Sequence, residues 1–191
     1  TKESLERMKY YIDHRIEPAY SSYRLLEADS CALSTYQMQG PFEVIARLGV
    51  NKHTKRPSED DHKAAYLNAL MWTLTGDEAH ARKSIEILNA YSAMLKLIGP
   101  NDNDDPLCAS LQGSMLANAA ELIKHTYSKV TPAEIAGWEK MLRTVFIPVL
   151  DTFFKAKPYT NGNWGAAATK AYMAFGIFLE DEALYNQAVH F

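Results

Sequence analysis

Cysteine is scarce in this chain. Its 191 residues contain two, Cys31 and Cys108, too few for a disulfide scaffold and not spaced like metal ligands. One bridge or two buried thiols both fit. No apolar run is long enough to span a bilayer, so no membrane partner is expected. There is no Asn-x-Ser/Thr acceptor and no recognisable signal peptide, although a chain beginning at Thr1 fits a trimmed start. Charge of one sign is lacking too. The formal net charge is −3 and the basic residues are scattered, which gives no electrostatic reason to expect nucleic acid. No Gly-x-Ser-x-Gly, Walker-type or dinucleotide-binding glycine pattern appears. None of the six histidines forms a His-x-x-x-His or His-Glu pair. Neither a cofactor nor a metal is therefore expected.

What is present is helical punctuation. Thr75-Gly76-Asp77-Glu78 ends one helix and caps the next. Thr131-Pro132-Ala133-Glu134 is a capping box with proline at the first helical position, and Asp181 repeats the acidic cap. These caps recur at intervals of about 50 residues, as a repeated two-helix unit would.

Within each unit the two helices differ. Ala64–Leu74, Leu107–Ile123 and Trp164–Leu179 are apolar nearly all round, as expected of helices buried on most sides. The segments after Asp77, Pro132 and Asp181 are amphipathic; Ala81, Ile85, Leu88, Ser92 and Leu95 form one such stripe. An inner apolar layer wrapped by an outer amphipathic one predicts an all-α protein, an incomplete (α/α) toroid of helical hairpins. An open helical solenoid is the alternative. Lys2–Leu26 reads as a leading helix, and residues 1–191 as one domain. Residues 28–60, with Gly40-Pro41, Gly49 and Pro57, read as a long loop and a candidate lid. The last helix runs to Phe191 without a stop signal, so the natural protein is expected to continue.

Asn101-Asp-Asn-Asp-Asp105 resembles the start of a calcium loop, but Pro106 and Gln112 stand where such a loop needs Gly and Glu. A turn with Asp105 capping a helix from Pro106 is the better reading. The carboxylates Asp60, Asp61, Asp104, Asp105 and Glu121 leave a two-carboxylate hydrolase open. His62 opens an inner helix and is kept as a candidate. Asn161-Gly-Asn-Trp-Gly165 precedes an inner helix, so its side chains are expected to face the central cavity; Asn163 as a simple helix cap is the structural alternative.

The segments Asp61-His-Lys-Ala-Ala-Tyr-Leu-Asn-Ala-Leu-Met-Trp-Thr-Leu-Thr-Gly-Asp77, Ile85–Tyr91, Leu111-Gln-Gly, Asn118–Leu122 and Asn161–Gly165 together resemble the alginate lyase-like polysaccharide lyases. The resemblance implies β-elimination on an acidic polysaccharide, alginate or another uronan such as glucuronan, by a secreted or periplasmic enzyme. It implies that Asn163, with Asn161 second, neutralises the substrate carboxylate. Many alginate lyases carry His after this Asn; here Trp164 stands there and is expected to stack on a sugar. Gln112, Asn68 and His62 on inner helices are the remaining candidates for substrate binding. A tyrosine and an arginine for proton transfer are expected beyond Phe191. A catalytically silent helical-repeat module that binds glycans or proteins, or an (α/α) glycoside hydrolase, are the competing functions.

Overall fold

The computed structural model describes residues 1–99, 103–156 and 162–190. The chain is all-α. Its longest helices are α3 (Lys55–Thr75), α4 (Glu78–Met94), α5 (Asp105–Thr126) and α8 (Asn163–Phe178). Shorter ones are α1 (Lys2–Asp13), α2 (Ala19–Glu27), α6 (Pro132–Met141), α7 (Ile147–Lys155) and α9 (Glu182–Val189).

Three hairpins form the body. Helix α5 packs against α3 on one side and α8 on the other, while α4 backs α3, and α9 backs α8. The outer partner of α5 is the α6–α7 rod. The inner row is therefore α3, α5 and α8, the three segments that are apolar all round, and the arrangement is an arc of an (α/α) toroid. Alanine lets the inner helices approach closely: Ala64, Ala65, Ala69, Ala117, Ala120, Ala168 and Ala171 are all buried. Large side chains, Trp138, Phe146, Tyr172, Phe175 and Phe178, fill the space between the layers.

The punctuation works as the sequence predicts. Gly76 ends α3 in the left-handed region at φ 74°, and the Asp77 side chain accepts from the Ala79 amide. Thr131 and Glu134 form a reciprocal capping box, and Asp181 accepts from the Leu184 amide.

Four features depart from expectation. The leading helix is two helices, because Arg15 adopts φ 53° and Pro18 cannot extend the ladder. Helix α3 begins at Lys55, so Pro57 sits in its first turn, where a missing N–H costs nothing. Helix α5 begins at Asp105 rather than Pro106, with Asp104 at the cap position. Finally, the outer rod from Pro132 is interrupted by a π-helical turn at Leu142–Phe146 just before Pro148. A wider turn there absorbs the hydrogen bond that the proline cannot make.

The loop before α3 is irregular but anchored. Strand β1 (Val44–Ile45) pairs in parallel with β2 (Leu97–Ile98), Val44 opposite Leu97. Both cysteines are free and buried. Among the described residues, no helix is long and apolar enough to cross a membrane.

Candidate functional site

Inner helices run in the same direction, so α5 and α8 start at the same end of the arc. Between these starts and α7 lies a groove of about 1000 Å³. Helix α8 contributes Gly162, Asn163 and Trp164; α5 contributes Asp105 and Pro106, with Asn103 just before them; α7 contributes Pro148, Val149, Thr152 and Phe153.

The α8 end is built by glycine. Gly162 occupies the cap position at φ 134°, a conformation that side chains rarely adopt, and no side chain caps the helix. Asn163 is thus the first residue of the helix rather than its cap, and it is exposed. Trp164 is half-buried, its indole packed against the core. The first turn of α8 contains no acidic residue, and the positive end of the helix dipole is directed at the groove.

The other walls are apolar. Pro106, Pro148, Val149 and Phe153 give the groove hydrocarbon surface besides the indole. Thr152 donates its hydroxyl to the Pro148 carbonyl at 2.9 Å. The π-helical turn Leu142–Phe146 lies just ahead of Pro148 in the outer rod; no residue of α7 was a site candidate from sequence, and a proline within a helical pattern was the available signal.

Next to the groove, Arg47 bridges Glu59 (2.6 Å) and Asp104 (3.3 Å). Asp105 lines the groove itself.

A second polar cluster is wholly internal. Asp61 is buried and accepts four hydrogen bonds: from the Tyr36 hydroxyl at 2.8 Å, the Gln39 and Gly40 amides at 2.8 Å each, and the Tyr91 hydroxyl at 2.7 Å. Burial, together with the adjacent carboxylate, pushes both tyrosine pKa values up. The next residue, His62, is fully buried edge-on to the Tyr91 ring, with centroids 4.2 Å apart. Gln112 lies near it, yet neither ring nitrogen nor Gln112 Oε1 closes a well-directed hydrogen bond. Burial pulls the His62 pKa down to about 3. Asn68 donates to the carbonyls of Cys31 (2.9 Å) and Ala64 (3.0 Å) and accepts from His80 Nδ1 (2.8 Å).

Of the six residues singled out by sequence, the structure brings Asn163 and Trp164 together in the groove. It encloses His62, Asn68 and Gln112 between α3, α5 and the preceding loop, away from the groove lining. Asn161 lies outside the described residues. The loop-anchoring role of Asp61 was missed, since four donors converging on one carboxylate from 21 to 30 residues away leave no local pattern.

A family model described as alginate lyase matches residues 34–190 of the chain. No curated protein and no solved structure matches it.

Proposed function

The chain belongs to the alginate lyase family, and on that premise we propose that the groove at the head of α8 is where it holds its substrate. The protein is a polysaccharide lyase, and its substrate is an acidic polysaccharide cleaved by β-elimination. In the proposed arrangement Asn163 neutralises the uronate carboxylate and Trp164 supports the sugar ring.

The chemistry calls for such a group. The proton removed is at C5, beside a carboxylate whose full charge makes it very weakly acidic. As that proton leaves, negative charge grows on the carboxylate, and the bond from C4 to its oxygen breaks. A donor aimed at the developing charge lowers the barrier; loss of one such donor typically costs about 10²–10³ in rate. Asn163 offers an amide N–H, and the uncapped start of α8 adds its dipole in the same place.

The apolar walls suit a pyranose ring, whose faces are C–H surfaces between polar edges. Trp164, Pro148 and Phe153 contribute such surface to the groove. Among the described lining residues there is no His or Tyr. The phenols of Tyr36, Tyr91 and Tyr172 are held by Asp61 and Asp151, with burial pushing each pKa up. None of these is a phenolate base at neutral pH. Proton transfer at C5 and O4 falls to other groups.

Alginate or glucuronan is the proposed polymer, and secretion or a periplasmic location follows from a polymer too large to enter a cell. The single observation that carries the site is the convergence of Asn163 and Trp164 on one groove at an uncapped inner-helix start. Asn163→Ala in the full-length protein is expected to lower kcat by about 100-fold or more, read as unsaturated product by ultraviolet absorbance. Wild-type turnover by that variant would rule the assignment out.

A further inference from the structure

We propose that Tyr172 and Asp151 are positioning residues that fix the α7 side of the groove against α8 and so set its fit to a sugar ring. The inference rests on the groove being the substrate site, as argued above.

The groove is lined from separate helices. Asn163 and Trp164 stand in the first turn of α8, while Pro148, Val149, Thr152 and Phe153 come from α7. Its shape depends on how those two helices are held relative to each other. Yet among the described residues they touch at few points, and α8 packs mainly on α5 and α9. The backbone of α7 does little to fix its placement. The helix has nine residues, follows the π-helical turn Leu142–Phe146, and contains Pro148, which donates no ladder bond. Its seat comes from side chains.

One such contact joins the two helices beside the lining. The Tyr172 hydroxyl donates to Asp151 Oδ1. Asp151 directly precedes Thr152 and Phe153, and Tyr172 lies eight residues beyond Trp164, about 12 Å along the helix axis. The Tyr172 ring is fully buried and edge-on to Phe154 of α7, with centroids 5.0 Å apart. Burial, with the carboxylate beside it, pushes the phenol pKa up, so the hydroxyl stays a donor. A hydroxyl donating to a carboxylate makes a short, strong, directional bond. Apolar contact alone has no direction and lets surfaces slide. The ring therefore fills space between the layers, and the hydroxyl fixes where α7 sits along α8.

Neither side chain lines the groove; both act through Thr152 and Phe153. A wall that supports the sugar ring does so equally before and during elimination. Loosening it weakens the binding of substrate and transition state alike, which raises KM and leaves kcat unchanged. Loss of folded enzyme has the opposite signature, a lower apparent kcat at unchanged KM.

The test measures kcat and KM of the full-length protein on alginate and on glucuronan, by the absorbance of the unsaturated product. Tyr172→Phe keeps the ring and removes the hydroxyl. It is expected to raise KM by about tenfold with kcat within about twofold of wild type. Asp151→Ala is expected to do the same, and the double variant to be no worse than either single one. Asp151→Asn keeps an acceptor oxygen and is expected to restore KM to near the wild-type value. If Tyr172→Phe and Asp151→Ala leave KM unchanged, or if Asp151→Asn is as defective as Asp151→Ala, the positioning role is overturned. Asn163→Ala, assayed in parallel, keeps the two readings apart. Where that variant is slowed and the KM of the others is unchanged, the positioning role alone falls. Wild-type turnover by Asn163→Ala, or a wild type inactive on both polymers, removes the groove reading and this inference with it.

Discussion

His62 sits where water cannot reach it, against an aromatic edge and without a well-directed hydrogen bond for either ring nitrogen. Its folded pKa, about 3, lies below the 6.5 of a free imidazole. Between those values the unfolded chain binds a proton that the folded chain does not, so stability is fully present above about pH 6.5 and is lost as pH falls toward about 3. The loss attributable to this residue is at most about 1.4 kcal/mol per pH unit. Urea unfolding at pH 7 and at pH 4.5 measures it, and His62→Leu is expected to flatten that segment of the profile. An unaltered pH dependence would show that His62 takes up its proton in the folded state. From sequence, His62 was a candidate because it opens an inner helix. Its enclosure depends on Tyr91 and on the loop that Asp61 holds, contacts from distant parts of the chain that no local pattern encodes. Asn163 and Trp164 were legible for the opposite reason: a glycine-flanked turn before an apolar run determines its own position at a helix start.

At the level of elements, helices were readable where their ends carry chemistry. Thr131 with Glu134, Asp77 and Asp181 each satisfy a helix-end amide, so their patterns state the boundary. The split of the leading helix and the π-helical turn were less legible because each depends on how neighbouring turns settle around a proline. Helix-to-helix closeness is another property that sequence hints at only through small residues. Gly176 of α8 faces α9, and a Cβ there would come within 2.8 Å of the Tyr185 amide nitrogen and Cβ. Because one contact is backbone, the neighbour cannot rotate away. Gly176→Ala is expected to destabilise by about 1–3 kcal/mol despite the better helix propensity of alanine. A lowered denaturation midpoint checks this; a raised one would mean that α9 shifts without cost.

Across the whole molecule, stability is unevenly distributed. Helices α1 and α2 contain no buried residue, whereas α3, α5 and α8 are buried along most of their length. Amides of residues 2–27 are expected to exchange with solvent orders of magnitude faster than those in the middle of α5, as read by hydrogen–deuterium exchange. Equal protection would mean that the first two helices are packed more firmly than their exposure implies. The layered architecture was visible in the alternation of apolar and amphipathic segments because burial on both sides imposes composition along a whole helix. The groove was not visible, since it arises from where three helices end relative to one another.

The loop that precedes α3 shows how unevenly a chain tolerates change in length. Tyr36, Gln39 and Gly40 all converge on the carboxylate of Asp61, so any residue inserted among them would displace at least one donor. A few positions later Leu48 and Val50 are exposed, and an added residue there meets solvent instead. An insertion is therefore expected to be tolerated better around Leu48 and Val50 than among Tyr36, Gln39 and Gly40. The first half of the loop is metrically fixed by two oxygen atoms.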